Sequence, residues 1–186
     1  MKWSDMGKAL ASITPTIAEW ITEQKIFFVS TAPLTAEGHI NSSPKGADSF
    51  RVLGPNKVAY LDLNGSGVET IAHLRENGRI VIMFCAFEGK PQICRFHGKG
   101  IVHEQGTIDF QALAGHFTNT EIARSIIEIE VERVSLSCGF SVPYYEYKSE
   151  RNQLIDWSHK KGAEGLRTYQ ANNNAASIDG LPGLVR

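Results

Sequence analysis

No apolar run in this chain approaches the roughly 20 residues that a membrane-crossing helix requires, so no membrane partner is expected. Residues 1–10 mix Lys2, Asp5 and Lys8 with apolar residues and lack the core of a signal peptide, which predicts a cytoplasmic protein. Cysteine is scarce. Cys85, Cys94 and Cys138 are odd in number, widely spaced and without a Cys-x-x-Cys pair, which argues against a disulfide framework or zinc knuckle and for buried free thiols. Charge of one sign is missing too. Lys and Arg number 19 against 20 Asp and Glu, a formal net charge of -1, so no long-range field gathers nucleic acid or an anionic membrane. Any anionic ligand must be held by a local set of donors. There is no internal repeat, no low-complexity stretch and no G-x-G-x-x-G, and "GSG" at 65–67 is not followed by the Gly-Lys-Ser/Thr of a Walker loop.

What is present is a chain of 186 residues, 42% hydrophobic, long enough for one domain with a substantial core. Thr14-Pro15 suits a helix start, with Ile17, Trp20 and Ile21 then on one face. Strands are expected at 25–31, in the segment that ends in "NSSPKG" (41–46), and at 57–63, 79–87, 91–103 and 125–136. In the last, Ile127, Ile129 and Val131 alternate with Glu128, Glu130 and Glu132, as in a strand with one wet face. Gly98 and Gly100 predict a bulge or a barrel corner. Helices are expected over 67–77, over 107–115 and over 150–161, the last between Ser149 as cap and Gly162 as stop. The tail "QANNNAASIDGLPGLVR" reads as irregular. Meandering strands with few βαβ units point to a mainly β chain with flanking helices, built as a small antiparallel barrel. The expected organisation is one domain over 1–186, with a barrel core at about 25–136 and a helical and irregular extension over 137–186.

Two segments carry the candidate chemistry. In "NGSGVETIAHLRENGR" (64–79), Ser66 and Glu69 have capping-box spacing and Gly78 stands at the helix stop, which by itself describes a capped helix. "NSSPKG" concentrates two hydroxyls, a lysine and a glycine. A helix N-terminus offers unpaired N–H groups and partial positive charge, so the two segments brought together would make a phosphate site. Lys45 is expected on the surface of that site; its bland reading is a solvated lysine. His73, His97, His103 and His116 form no spaced ligand set, so no metal is expected. Asp62 and Glu69 could serve as acid and base, though Glu69 is explained by the capping box. Cys138 in "SCGFSVP" lacks a companion histidine, and the tyrosines of "VPYYEYK" (142–148) suit a planar ligand or a subunit interface equally.

The order "FFVST…NSSPKG…VAYLDLNGSG.ET…HLRENGRI.IMF..FEG.P.I.R..G", with "SCGFSVP" (137–143) and "SIDGLPG" (177–183), resembles the pyridoxamine 5′-phosphate oxidase-like, FMN-binding split-barrel proteins. It is most similar to the oxidase-related branch rather than to the authentic oxidase, and the resemblance spans roughly residues 20–135. It implies a six-stranded antiparallel split β-barrel, a homodimer with FMN at the subunit interface, and flavin-mediated oxidation or reduction of a small molecule. The cofactor-binding residues it implies are Ser43, Lys45 and Gly46 on the flavin strand, Ser66, Gly67 and Thr70 at the turn into the helix, Arg95 on a later strand, and Asp62 beside them. The chain departs from the authentic oxidase in three ways. Gly67-Val68 stands where that enzyme has Arg-Lys, Ser43 replaces its arginine, and its C-terminal Trp and Arg-x-His-x-Arg segment has no counterpart. Pyridoxamine 5′-phosphate is therefore not the expected substrate. A non-catalytic cofactor-binding module, or a haem- or deazaflavin-using relative, are the alternatives that the same fold leaves open.

Overall fold

Burial alternates along the strands at 27–31, 41–45 and 79–85 and runs unbroken through 58–62 and 123–127, and antiparallel pairing joins these strands in one sheet. The structure is a computed structural model that describes Gly7 and residues 9–185. Apart from Gly7, Ala9 and Leu10, the reading of residues 1–10 as free of a signal-peptide core lies outside the described residues. In chain order the elements are β1 (Ala9–Leu10), α1 (Pro15–Glu23), β2 (Phe27–Thr31), β3 (Asn41–Lys45), β4 (Phe50–Gly54), β5 (Lys57–Leu63), α2 (Glu69–Asn77), β6 (Arg79–Cys85), β7 (Ile93–Glu104), α3 (Ile108–Ala114), a 3₁₀ turn at Thr120–Ile122, β8 (Ala123–Ser137) and α4 (Gln153–Asn173). The sheet runs β3-β2-β6-β7-β8-β5-β4, with β1 added on β8. Eight strands replace the six expected. The two unforeseen ones are β1, too short to show a period, and β4, an apolar run tied to β5 by a bulged hairpin.

Cross-strand rows fix the inside of the barrel. Ser43, Val29, Ile82, Phe96 and Val134 are successive partners across five strands, and the last four are fully buried. Phe27, Phe50, Phe84, Phe96 and Tyr60 meet edge-on beside them, with ring centroids 5.0–6.1 Å apart. Complete burial of a side chain of this size contributes about 1.5–3 kcal/mol. The expected one-faced strand is β8, with Ile127, Ile129 and Val131 buried and Glu130 and Glu132 exposed.

Helix α1 starts as its sequence indicates, Thr14 Oγ1 accepting the Ile17 N–H at 3.3 Å, and Ile17 and Ile21 close one end of the barrel. Thr107 caps α3 in the same way, accepting the Phe110 N–H at 3.2 Å. Helix α2 starts later than expected and without the capping box: its N-cap is Val68, no side chain caps it, and the Glu69 carboxylate instead accepts the Ile178 N–H at 3.3 Å. A tertiary partner has won the carboxylate from the local one. Gly78 does end α2, at φ 72°, as a left-handed C-cap. The fourth helix also differs. Asn152, not Ser149, precedes it, whereas Gly162, at φ 66° and ψ 173°, leaves helical geometry and stops the first helical segment as expected; a second segment follows it to Asn173, with Leu166 and Gln170 buried at i, i+4 spacing. Among the described residues no helix is long and apolar enough to cross a membrane.

The bulge predicted from the glycines lies in β7, where the pairing with β8 slips between His97 and Gly98. A Cβ at Gly98 would overlap the Glu130 backbone carbonyl, and backbone cannot swing aside as a side chain can. Gly98→Ala is accordingly expected to lower stability by about 1–3 kcal/mol, measured by denaturant unfolding. An unchanged unfolding midpoint would mean that the bulge can relax.

Candidate functional site

The alternation along β3 sorts its six-residue motif onto two faces. Asn41, Ser43 and Lys45 pair with Thr31, Val29 and Phe27 and turn inward, while Ser42 and Pro44 turn out. The inward lysine is half-buried rather than fully solvated. Its side chain is 21% exposed, and its Nζ donates to Asp62 Oδ1 at 3.0 Å. Asp62 is wholly buried on β5, and its other oxygen accepts Arg124 Nε at 2.7 Å and the Ser125 hydroxyl at 3.2 Å. Burial alone would raise this carboxyl, but Arg124 and Lys45 outweigh it and hold it well below the usual carboxylate range. Asp62 is thus the internal counter-ion of two cations and offers no free oxygen to a ligand. One carboxylate against two cations leaves the cluster a net positive charge, and Lys45 is its solvent-facing end.

A second polar layer runs from β3 to α2. Asn41 Nδ2 donates to the Thr70 hydroxyl at 3.0 Å, Ser43 donates to Asn41 Oδ1 at 3.1 Å, and Thr31 Oγ1 lies 2.9 Å from His73 Nδ1. The implied pair Ser43 and Thr70 is therefore joined through Asn41, and Thr70 is buried. Burial pushes the His73 imidazole down, so it is neutral in the fold.

The turn between β5 and α2 lies beside this layer. Ser66 is exposed, and among the described residues no acceptor meets the N–H groups of residues 66–71. Arg124 Nη1 donates to the Gly67 carbonyl at 2.7 Å, and Asn174 Nδ2 to the Gly65 carbonyl at 3.0 Å. The end of β3 and this turn share the wall of a cavity of about 970 Å³, where Lys45 and Gly46 face Asn64 and Gly65, and Tyr145, Tyr147 and Leu154 form the far side. The Glu150 carboxylate accepts the Tyr147 hydroxyl at 2.9 Å and the Ala47 N–H at 3.3 Å, tying that far side to β3. Ala47 and Asp48 hold φ of 57° and 49°, a strained conformation for residues with a Cβ, at the point where the tie attaches.

Arg95 stands apart. It shares a cross-strand row with Met83, Phe28 and Pro44, so it lies on the outer face, opposite Ser43 and Lys45, and its Nη1 donates to the Ser137 hydroxyl at 3.0 Å. Gly67 contributes its carbonyl to Arg124. Among the described residues no group of three His, Cys, Asp or Glu side chains could hold a metal. Cys85 and Cys94 are buried, Cys94 with its thiol pushed up to about 12 by burial, whereas Cys138 is exposed, contrary to expectation. Arg124, Asn41 and Asn174 were not foreseen. Arg124 could have been noticed as a charge at the head of the apolar run "SIIEIEV"; Asn174 is one of three successive asparagines with nothing to single it out.

A phosphate suits one part of this cavity: Lys45 brings the net positive cluster to the wall beside Asn64 and Gly65, and the exposed Ser66 and the N–H groups without acceptors follow in the same turn. Glu23, Glu88, Glu146 and Glu150 also line the cavity, Glu88 accepting the Tyr147 N–H and Glu150 the Tyr147 hydroxyl and the Ala47 N–H. The cluster also holds the barrel together. Asp62→Asn would leave two buried cations without their counter-ion, an expected loss of about 3–5 kcal/mol at neutral pH. Because the folded carboxyl titrates below its ordinary 3.8, its contribution is present above that value and is lost as pH falls beneath it. Denaturant unfolding of both proteins at neutral and strongly acid pH checks this, and equal stability at neutral pH would refute it.

Comparison with known proteins bears on the family and the fold. A family model described as Pyridoxamine 5′-phosphate oxidase matches residues 13–138. A relative from Aspergillus flavus, the pyridoxamine 5′-phosphate oxidase family protein ustO, is 37% identical over 195 residues, covering 93% of this chain and 76% of its own. HupZ of Group A Streptococcus is 25% identical in sequence and superposes with a TM-score of 0.50 over 66% of this chain and 91% of that one. A Lactobacillus delbrueckii protein named for pyridoxamine 5′-phosphate oxidase is 18% identical, with a TM-score of 0.51 over 67% of this chain and 94% of its own, a likeness of fold. A split-barrel sheet with flanking helices, a matching profile over most of that sheet and a relative alike almost end to end lead to one conclusion: the chain belongs to the pyridoxamine 5′-phosphate oxidase family.

Proposed function

We propose that this chain is an FMN-dependent oxidoreductase acting on a small molecule other than pyridoxamine 5′-phosphate. The observation that carries the reading is the shared wall of the cavity of about 970 Å³, where the end of β3 meets the turn into α2. A space of that size lies at the upper end of the range for small-ligand sites, about 300–1,000 Å³. Lys45 supplies charge for the phosphate, and Ser66 with the backbone of the turn supplies neutral donors. Tyr145 and Tyr147 offer aromatic surface for a planar ring and exclude water from the space they line. When bound, FMN itself supplies the hydride-transfer chemistry, which is why the chain needs no acid or nucleophile of its own. The protein's task is to hold, orient and enclose.

The homodimer implied by the resemblance is part of this proposal. Phe140, Tyr144 and Tyr145 are 62%, 79% and 64% exposed along one segment, more aromatic surface than a lone subunit usually leaves in water. Light scattering at micromolar concentration is expected to return twice the chain mass of 20.5 kDa, and a monomer mass would remove the two-subunit site.

The absorption spectrum of freshly purified protein, followed by fluorescence titration with FMN, tests the cofactor. A flavin spectrum supports the proposal, and a Soret band would replace it with haem. Lys45→Ala is expected to weaken FMN by roughly tenfold to a hundredfold, the worth of one charge-assisted contact. Because Lys45 also neutralises the buried Asp62, the same variant is expected to lower the melting temperature of the ligand-free protein. Unchanged FMN affinity in Lys45→Ala would end the phosphate role of this lysine.

A further inference from the structure

The carbonyls of three successive residues in the turn before α2 are all taken from the same side. Asn174 Nδ2 donates to Gly65 O at 3.0 Å and to Ser66 O at 3.4 Å, while Arg124 Nη1 donates to Gly67 O at 2.7 Å and to Gly65 O at 3.4 Å. Arg124 Nη1 also donates to Asn174 Oδ1 at 3.1 Å, so the two side chains act as one clamp. Both are buried, Asn174 completely. No peptide bond here is cis, and in a trans peptide the N–H points opposite to the C=O it shares a plane with. Pinning the carbonyls of Gly65, Ser66 and Gly67 toward the clamp therefore turns the N–H groups of Ser66, Gly67 and Val68 the other way. Three successive N–H groups facing together form a concavity suited to an anion.

Asn174 is held for this task by the chain's last residues. It ends α4, with its N–H on the Gln170 carbonyl at 2.7 Å, and its own carbonyl accepts the Leu184 N–H at 2.8 Å. A Cβ at Gly183 would run into that carbonyl and into Val68, so only glycine lets the segment pass so close. An antiparallel bridge between Ala176 and Pro182 closes the turn that carries Asp179, which accepts the His39 N–H at 2.8 Å, and the Ile178 N–H reaches Glu69. From the α4 side, Gln170 donates to Asn64 Oδ1 at 2.7 Å, steadying the start of the turn.

We propose that Asn174, acting with Arg124, is the positioning residue of the anion site, so that the C-terminal extension beyond the matched family segment sets how the turn receives a phosphate. The inference rests on the flavin reading above for the identity of the ligand, FMN, and on the hydrogen bonds alone for the orientation of the turn.

FMN and riboflavin, which differ only in the phosphate, are titrated by fluorescence into the full chain and into Asn174→Ala. The wild type is expected to prefer FMN. The variant is expected to lose about tenfold in FMN affinity while its riboflavin affinity stays unchanged. A merely structural role would weaken both ligands alike and overturns the assignment, as does an unchanged preference in the variant or a wild type that binds both flavins equally. Should Asn174→Ala not fold, Asn174→Asp keeps the shape and the acceptor for Arg124 while removing the two donated bonds, and the same criterion applies. If the wild type binds neither flavin, the flavin reading falls and inorganic phosphate decides the remainder. A rise in melting temperature with phosphate that is absent in the variant upholds the positioned turn, and no rise in the wild type overturns it.

Discussion

A single buried carboxylate ties together parts of the chain that are far apart in sequence. Asp62, on a central strand, holds Lys45 from the sheet edge and Arg124 from the head of β8, and through Arg124 it reaches Gly67 and Asn174. A charge this deep in a protein persists only if its partners are geometrically exact and its remaining lone pairs are filled. Three donors meet Asp62, Lys45 on one oxygen and Arg124 with Ser125 on the other. The cost of breaking the arrangement is high, so the edge strand, the turn and the last helix are obliged to keep their relation to one another.

That obligation shapes the site. An edge strand such as β3 would otherwise be free to fray, and a glycine-rich turn such as 64–68 could take many conformations. Here the strand's inward lysine and the turn's carbonyls are fastened to the same cluster, leaving only the lysine's outer end and the turn's N–H groups for a ligand. The strained backbone at Ala47 and Asp48, tied through Glu150 to the aromatic segment, sits at the mouth of the same cavity. Firmly held donors beside an aromatic wall are what the proposed binding of a flat, anionic molecule calls for.

The strands were legible because period-two burial is written directly into residues such as Ile127, Ile129 and Val131. Thr14, Thr107 and Gly78 were legible as helix boundaries because capping is a matter of a few neighbouring atoms. The capping box at Ser66 failed for the opposite reason: Glu69 had a partner more than a hundred residues away, the N–H of Ile178. Gly162 was legible as a stop, but the second helical segment beyond it, which buries Leu166 and Gln170, was not. Lys45 reads as a surface lysine until Asp62, seventeen residues on, is folded beneath it.

By itself the sequence determined the class of the fold, the bulge at Gly98, the near-zero net charge and the two segments from which the proposed anion site is built, because each follows from spacing or from the chemistry of adjacent residues. Only the tertiary structure decided which charges are spent internally, which face Arg95 occupies and that Asn174 rather than either neighbouring asparagine meets the turn. Those outcomes depend on distances between residues remote in sequence, set by the pairing register of the sheet and by where the last helix ends. No local pattern encodes them.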